Sequence, residues 1–209
     1  MLLGAPASGK GTQADRLADH FDLEHISTGA MLRQAVANGG ELGSLVGQLL
    51  KDGQLVPDHL VVELVLDALE QFGNGFVVDG FPRTLRQAEG FDVMLAQRAL
   101  ALDAVILIEV AHSVLVSRST GRRIDPATGR VYHLQFAPPP AEIVPRLEQR
   151  DDDSEAVVVE RLAIYQRQTA AVIDHYRERL VAIDGSGTPA QVFTQILDRL
   201  TANKWSPAP

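Results

Sequence analysis

The sequence predicts an α/β protein whose parallel sheet is flanked by helices. Three observations carry that expectation. Short apolar runs at 1–3, 24–27, 76–79, 104–110 and 181–184 read as strands and alternate with amphipathic runs of helical period. The first run enters the glycine-rich stretch Gly4-Ala5-Pro6-Ala7-Ser8-Gly9-Lys10-Gly11-Thr12, and a helical stretch follows at once. Composition is that of a soluble globular chain, with 45% hydrophobic and 22% charged residues over 209 positions.

The first strand is short, because only three residues precede the loop. Either the strand is trimmed or the true start lies upstream. The opening Met-Leu-Leu-Gly has no basic segment and no cleavage site, so no signal peptide is expected. No apolar run approaches the ~20 residues of a membrane span. Cys is absent, which removes disulfides and thiolate metal sites and is compatible with a cytoplasm. The net charge of -8 makes the chain a poor general binder of nucleic acid. Any phosphate it holds must be held by local clusters of cations.

The loop is such a place. Strand, glycine loop, then helix lets backbone N–H groups point inward, and the helix N-terminus adds partial positive charge. Lys10 can reach the outer phosphates of a nucleoside triphosphate. The match to G-x-x-x-x-G-K-[ST] departs at one place, where Gly11 stands for Ser or Thr and Thr12 follows. A flexible glycine turn with a chance lysine is the competing reading.

Taken in order, the first helix covers 13–20. Glu24 to Gly29 is a brief extended piece ending in a helix cap, and a helix carrying Arg33 covers 30–37. Asn38-Gly39-Gly40 breaks it, and a second helix covers 42–51. Gln54-Leu55-Val56-Pro57-Asp58 is a turn, with Asp58 placed to cap a helix over 59–72. Gly73-Asn74-Gly75 turns into the strand that ends at Asp79, an apolar strand ending in Asp being what holds Mg²⁺ in P-loop proteins, often through water. Helices over 85–98 and 114–120 flank the strand at 104–110. The stretch 121–153 is rich in turn formers and reads as an insertion with little core of its own. A long helix is expected over 155–180, then a strand at 181–184, a turn at Gly185-Ser186-Gly187 and a last helix over 189–200. The tail 201–209 is expected to be loose.

These motifs together resemble adenylate kinase. The resemblance covers residues 2–200. It rests on the loop, on Ser27-Thr28-Gly29 with Arg33, and on Asp79-Gly80-Phe81-Pro82-Arg83-Thr84 with Gln87. Gly121-Arg122-Arg123, then Tyr132-His133 with Phe136 and Pro138-Pro139, and Arg150 with Asp152-Asp153 and Arg161 complete it. It implies a P-loop core with a parallel five-stranded sheet in a single domain over 1–209. Two inserts are implied: an NMP-binding insert at 27–56 and a lid at 119–153 without a zinc site. It also implies Mg²⁺-dependent, reversible transfer of a phosphoryl group from ATP to AMP by a cytoplasmic monomer with no membrane or nucleic-acid partner.

By the same resemblance, Lys10, Arg83, Arg122, Arg150 and Arg161 serve catalysis. Ala7, Ser8, Gly9, Lys10, Gly11, Thr12, Arg118, Arg122, Val131, Tyr132 and Gly187 surround ATP. Thr28, Arg33, Gln54, Leu55, Val56, Gly80, Phe81, Pro82, Arg83, Gln87, Arg150 and Arg161 surround AMP, and Asp79 takes the metal. Arginine suits such a site because its planar fork gives phosphate two parallel hydrogen bonds. Taken singly, each arginine could equally be a solvated helix face. Arg16, Arg98, Arg177 and Arg179 are read that way. Asp152-Asp153 could hold arginines or cap the long helix.

Gln87 bears on the acceptor, since a Gln here pairs with the AMP base in adenylate kinases. Lid zinc is excluded by the absence of Cys. Asp125 and Thr128 fall where zinc-free lids carry a polar network, whose other two members the sequence does not reveal. Rival readings are a GTP:AMP or UMP/CMP kinase, and a nucleotide-binding switch without transferase activity.

Overall fold

The computed structural model describes residues 1–71 and 75–202. Five strands form one parallel sheet: β1 (Leu2–Gly4), β2 (Glu24–Ser27), β3 (Phe76–Asp79), β4 (Val105–Glu109) and β7 (Leu180–Asp184), in the order β2-β3-β1-β4-β7. The fold class and strand number agree with the sequence reading. Hydrogen-bonded neighbours pair Ser27 with Asp79, Leu2 with Asp79, Gly4 with Ile108 and Glu109 with Asp184. The strands therefore all end on one side, where the chain leaves β1 into the glycine loop. The chain leaves β1 through α1 (Lys10–Phe21) to the edge strand and returns to fill the gap with β3. β4 then lands on the other flank of β1. Ligand crevices form at such reversals, outside the carboxyl ends of the strands.

Apolar side chains on the two sheet faces build two cores. One joins Leu3, Val78, Phe81, Phe91 and Leu107 to α2 (Thr28–Asn38), α3 (Gly40–Lys51), α4 (Asp58–Gln71), α5 (Leu85–Gln97) and α7 (Glu155–His175). The other packs Leu2, Val77, Ile106 and Ile108 against α1 and α8 (Pro189–Ala202). Phe81 and Phe91 are fully buried in an edge-to-face pair, each contributing roughly 1.5–3 kcal/mol by burial. A small third core under the glycine loop joins Ala5 to Leu115 of α6 (His112–Thr120) and to Val158 and Leu162 of α7.

Helices α1, α3 and α6 begin two or three residues earlier than expected, and three other differences have a visible cause. The long helix stops at His175, five residues early. Tyr176 is buried there, its hydroxyl donating to Ala88 O at 3.3 Å and Asp92 Oδ1 at 3.0 Å, and a short 3-10 turn leads into β7. Asp58 does not cap α4. It is the first helical residue, and its carboxylate reaches across to α5 instead. α2 starts at Thr28, because Ser27 Oγ accepts from Ala30 N at 3.4 Å and caps it earlier than 30. The expected helix end at Phe72, the turn at Gly73-Asn74 and the tail from 203 onward lie outside the described residues.

The stretch 121–153 holds an antiparallel pair, β5 (Arg122–Ile124) and β6 (Val131–His133), and two short 3-10 helices. Among its described residues Ile143 is the one fully buried apolar side chain, beside buried Asp125 and Asp153. Asp125 organises the pair. Arg146 Nε and Nη2 donate to its two oxygens, each at 2.7 Å, Thr128 Oγ1 donates at 3.0 Å and Ala127 N at 3.1 Å. The Arg146 hydrogen bonds hold its carboxyl down at about 2. Arg146 is thus a second side-chain partner of Asp125, beside Thr128, that no motif marks.

Candidate active site

The glycine loop is shaped by steric exclusion. A Cβ on Gly4 would stand 2.6 Å from Ile108 O and 2.7 Å from Ser8 Oγ, at φ 147°. Ala7 holds φ 64°, a left-handed conformation that L-residues rarely adopt outside functional turns. Gly9 at φ 100° hands the chain to α1, which begins at Lys10 and carries Gly11 and Thr12 in its first turn. Ser8 is buried, and its hydroxyl has no hydrogen-bond partner among the described residues. Lys10 Nζ donates to Gly4 O and Ala5 O, both at 2.8 Å, and so points along the inside of the loop.

A cleft opens beside this loop at the carboxyl ends of β1 and β3. Lys10, Gly29, Arg33, Gln54, Leu55, Gly80, Phe81, Pro82, Arg83 and Arg161 line it, as expected of residues proposed for one site. Arg83 comes from the β3–α5 turn, its Nε donating to Gly80 O at 2.7 Å. Arg33 comes from α2 and Arg161 from α7. Thr28 is buried beside the cleft, its hydroxyl donating to Asp79 O at 3.3 Å, and Val56 is buried in the core.

The electrostatics of the cleft are lopsided. Burial pulls Lys10 down to about 8; Asp79 opposes the shift and Arg83, Arg161 and Arg122 add to it. Burial lowers Arg83 to about 10 with Arg161 adding, and Arg150 to about 9 with Arg122 and Arg33 adding. Arg33 and Arg161 are lowered by burial too, opposed by Asp152. The guanidinium groups stay charged at neutral pH. Each feels its neighbours as unwelcome like charge, so an anion placed among them would be strongly attracted. Buried Arg150 Nε has no hydrogen-bond partner among the described residues.

Two aspartates hold part of this array, which settles their role in favour of arginine support. Fully buried Asp153 accepts from Arg122 Nε at 2.8 Å and from Arg122 Nη2, and also from Ser119 Oγ at 2.8 Å. Asp152 pairs with Arg161 at 2.6 Å. Neither caps α7, whose N-cap is Ser154. Asp79 ends β3 with its Oδ2 3.4 Å from where a Cβ on Gly11 would stand and 3.9 Å from His25 Nε2. A methyl at Gly11 would thus touch the carboxylate at ordinary contact distance.

Arg118 lies further out, donating to Ser8 O and Ser186 O at 3.4 Å each and so bridging the loop to the turn that holds Gly187. Val131 and Tyr132 are on β6; Val131 is exposed, and Arg130 lies over the Tyr132 ring at 5.3 Å. These two and Gly187 do not line the cleft around Lys10. Neither does Gln87, which is only 2% exposed. Its Oε1 accepts from Arg83 N and its Nε2 donates to Asp58 Oδ1, both at 2.7 Å.

The arginines read as surface residues are spread elsewhere. Arg98 pairs with Glu70 at 3.1 Å, Arg177 with Asp174 at 2.5 Å, and Arg16 lies over Phe193.

Cleft residues that the motifs missed are Leu50 and Gly53 and, on α7, Ile164, Tyr165, Gln168 and Thr169. Spaced three, four, seven and eight positions after Arg161, the last four share its helix face, which periodicity alone could have flagged.

A glycine loop carrying a lysine, opposite three arginines from separate elements, gathers cations that attract anions. Comparisons with known proteins give the family. The family model described as "Adenylate kinase" matches residues 2–181. The chain belongs to the adenylate kinase family. It is 45% identical to the adenylate kinase of Kosmotoga olearia, over 96% of this chain and 97% of the relative. It is 42% identical to that of Gloeobacter violaceus, over 96% and 97%, and 40% identical to that of Clostridium tetani, over 97% and 98%. The matched range 2–181 spans the glycine loop and all the cleft arginines.

Proposed function

We propose that the chain transfers a phosphoryl group reversibly from Mg-ATP to AMP, yielding two ADP. The observation that carries this reading is the concentration of cations, Lys10, Arg33, Arg83 and Arg161, in one cleft of an acidic chain, with Arg150 close enough to feel Arg33. The acceptor is an ionised phosphate oxygen, so no protein base is required. Catalysis is positioning, charge neutralisation and exclusion of water.

In this reading the loop N–H groups of Ala7 to Thr12 and Lys10 hold the donor phosphates, and Arg118 lies against the donor base. Arg33 and Arg83 hold the acceptor phosphate, with Thr28, Gln54, Leu55, Val56 and Gln87 around its base. Arg122, Arg150 and Arg161 converge on the group in transit. Residues 119–153 act as a lid that brings Val131 and Tyr132 over the donor, and 27–56 as a second insert that closes over the acceptor. Closure excludes water, which would otherwise accept the phosphoryl group.

Asp79 would take Mg²⁺ through water, and Mg²⁺ when bound neutralises phosphate charge. The residues fit: a lone carboxylate beside the loop suits an ion that keeps its waters and leans on substrate phosphates. Among the described residues no group of three His, Asp or Glu gathers to hold a metal. Among the described helices none is long and apolar enough to cross a membrane. A cytoplasmic monomer is part of the reading, the absence of Cys being compatible with a cytoplasm.

ADP formation from Mg-ATP with AMP, CMP or UMP supplied separately tests the proposal. The expected outcome is a clear preference for AMP; preference for a pyrimidine nucleotide, or no transfer at all, overturns it.

A further inference from the structure

Gln87 has only one way to place its amide. The Arg83 N–H can only donate, so the amide oxygen must face it, and a carboxylate accepts, so the NH₂ must face Asp58. Asp58 is held in turn. Its Oδ2 accepts from Thr84 Oγ1 at 3.1 Å, and the same hydroxyl accepts from Gln87 N at 3.2 Å as the cap of α5. Side chain, cap and turn close into one ring of hydrogen bonds across α4 and α5. It leaves the amide one N–H and one lone pair, enclosed where water serves them poorly.

We propose that Asp58 is a specificity-determining residue. By fixing the sense of the Gln87 amide, it selects an acceptor purine with a 6-amino group over one with a 6-oxo group. The inference rests on the reading that Gln87 faces the acceptor base. A 6-amino purine presents an N–H donor beside a ring-nitrogen acceptor, and a 6-oxo purine presents an acceptor beside a ring N–H donor. A Gln amide free to turn over serves either edge in the same pose. One that is held serves one edge and leaves the other with two unmatched polar pairs, which is how a polar site rejects an analogue. Asp58 touches no reacting atom in this account; it acts through Gln87 as a positioning residue.

The test uses Asp58→Asn, which keeps the shape and can either donate or accept. Transfer from Mg-ATP to AMP and to IMP is measured for the wild type and the variant, with KM for ATP and the melting temperature alongside. The expected result is a rise in KM for AMP with KM for ATP unchanged, and an AMP-over-IMP ratio of kcat/KM that narrows at least about fivefold, the size of one weakened hydrogen bond. A merely structural role would lower the melting temperature without changing that ratio. A folded variant with an unchanged ratio overturns the inference, while a wild type that transfers nothing to AMP overturns the functional reading beneath it. Should the variant not fold, side-chain amide exchange in the wild type decides. Gln87 NH₂ protons exchanging as fast as those of exposed Gln34 overturn the lock, and strong protection supports it.

Discussion

Two groups of charged side chains lie a few elements apart and are built in opposite ways. Around Asp125 the charges are matched, with four donors for the two carboxylate oxygens and half-exposed Arg146 balancing the carboxylate. Around Lys10 the cations outnumber the anions, and burial with mutual repulsion pulls Lys10, Arg83 and Arg150 below their ordinary values. The first arrangement lowers the energy of the fold by itself. The second raises it and waits for an anion to lower it. Arginine serves both, and what distinguishes them is the count of carboxylates within reach.

The contrast breaks most visibly at Lys10. Lys10→Ala should lower the rate of ADP formation by about 10²–10³-fold, by analogy with the loss of one donor from a preorganised anion site. A variant that makes ADP at the normal rate would remove the loop from the mechanism. Arg150→Met should lower kcat by about 10–10²-fold on the same grounds, yet leave the melting temperature unchanged or higher, because burial and the like charges of Arg122 and Arg33 outweigh the attraction of Asp152 and Asp153. A clear drop in melting temperature would show that Arg150 is matched after all.

The pH profile sharpens the point. Lys10 titrates at about 8 in the free protein, so kcat/KM should fall as pH rises through about 8 and the loop loses its charge. A flat profile from pH 7 to 9 would contradict it.

Arg146→Met should act on the other group. Amides of 122–133 should exchange faster and KM for ATP rise a few-fold, with kcat less affected. The sign with acid follows from the Asp125 carboxyl, held at about 2 in the fold against about 4 unfolded. Its contribution is fully present above about pH 4 and is lost as pH falls through about 2. The smallest effect belongs to Arg98→Ala, which removes a surface pair with Glu70 and should change stability by about 0–1 kcal/mol and the rate not at all.

The sheet, the glycine loop and the cleft arginines were legible because each is written locally. Apolar runs mark strands, glycines mark the loop, and Arg33, Arg83 and Arg161 sit in short motifs. What escaped depends on contacts between distant segments. Arg146 meets Asp125 across 21 positions, and nothing in the run 141–146 marks it as a partner. Asp58 looked like a cap because it follows a turn and opens a helix, and only the approach of α5 reveals where its carboxylate goes. The early end of α7 has the same origin. The apolar pattern continues to 180, but Tyr176 is claimed by α5.

The knot at Asp153 has a consequence for chain architecture. Ser119 and Arg122 bind its carboxylate from the entry side, and Gln149 Nε2 donates to both Thr120 O and Asp153 O. The excursion from 119 to 153 therefore departs and returns at a single point, like a side branch on a stem. Excising it down to a short connector would remove none of the side chains that build the two large cores on the sheet faces. It would take away Arg122, Arg150 and the aspartate that holds Arg161, so such a trunk should keep the glycine loop and lose the transfer.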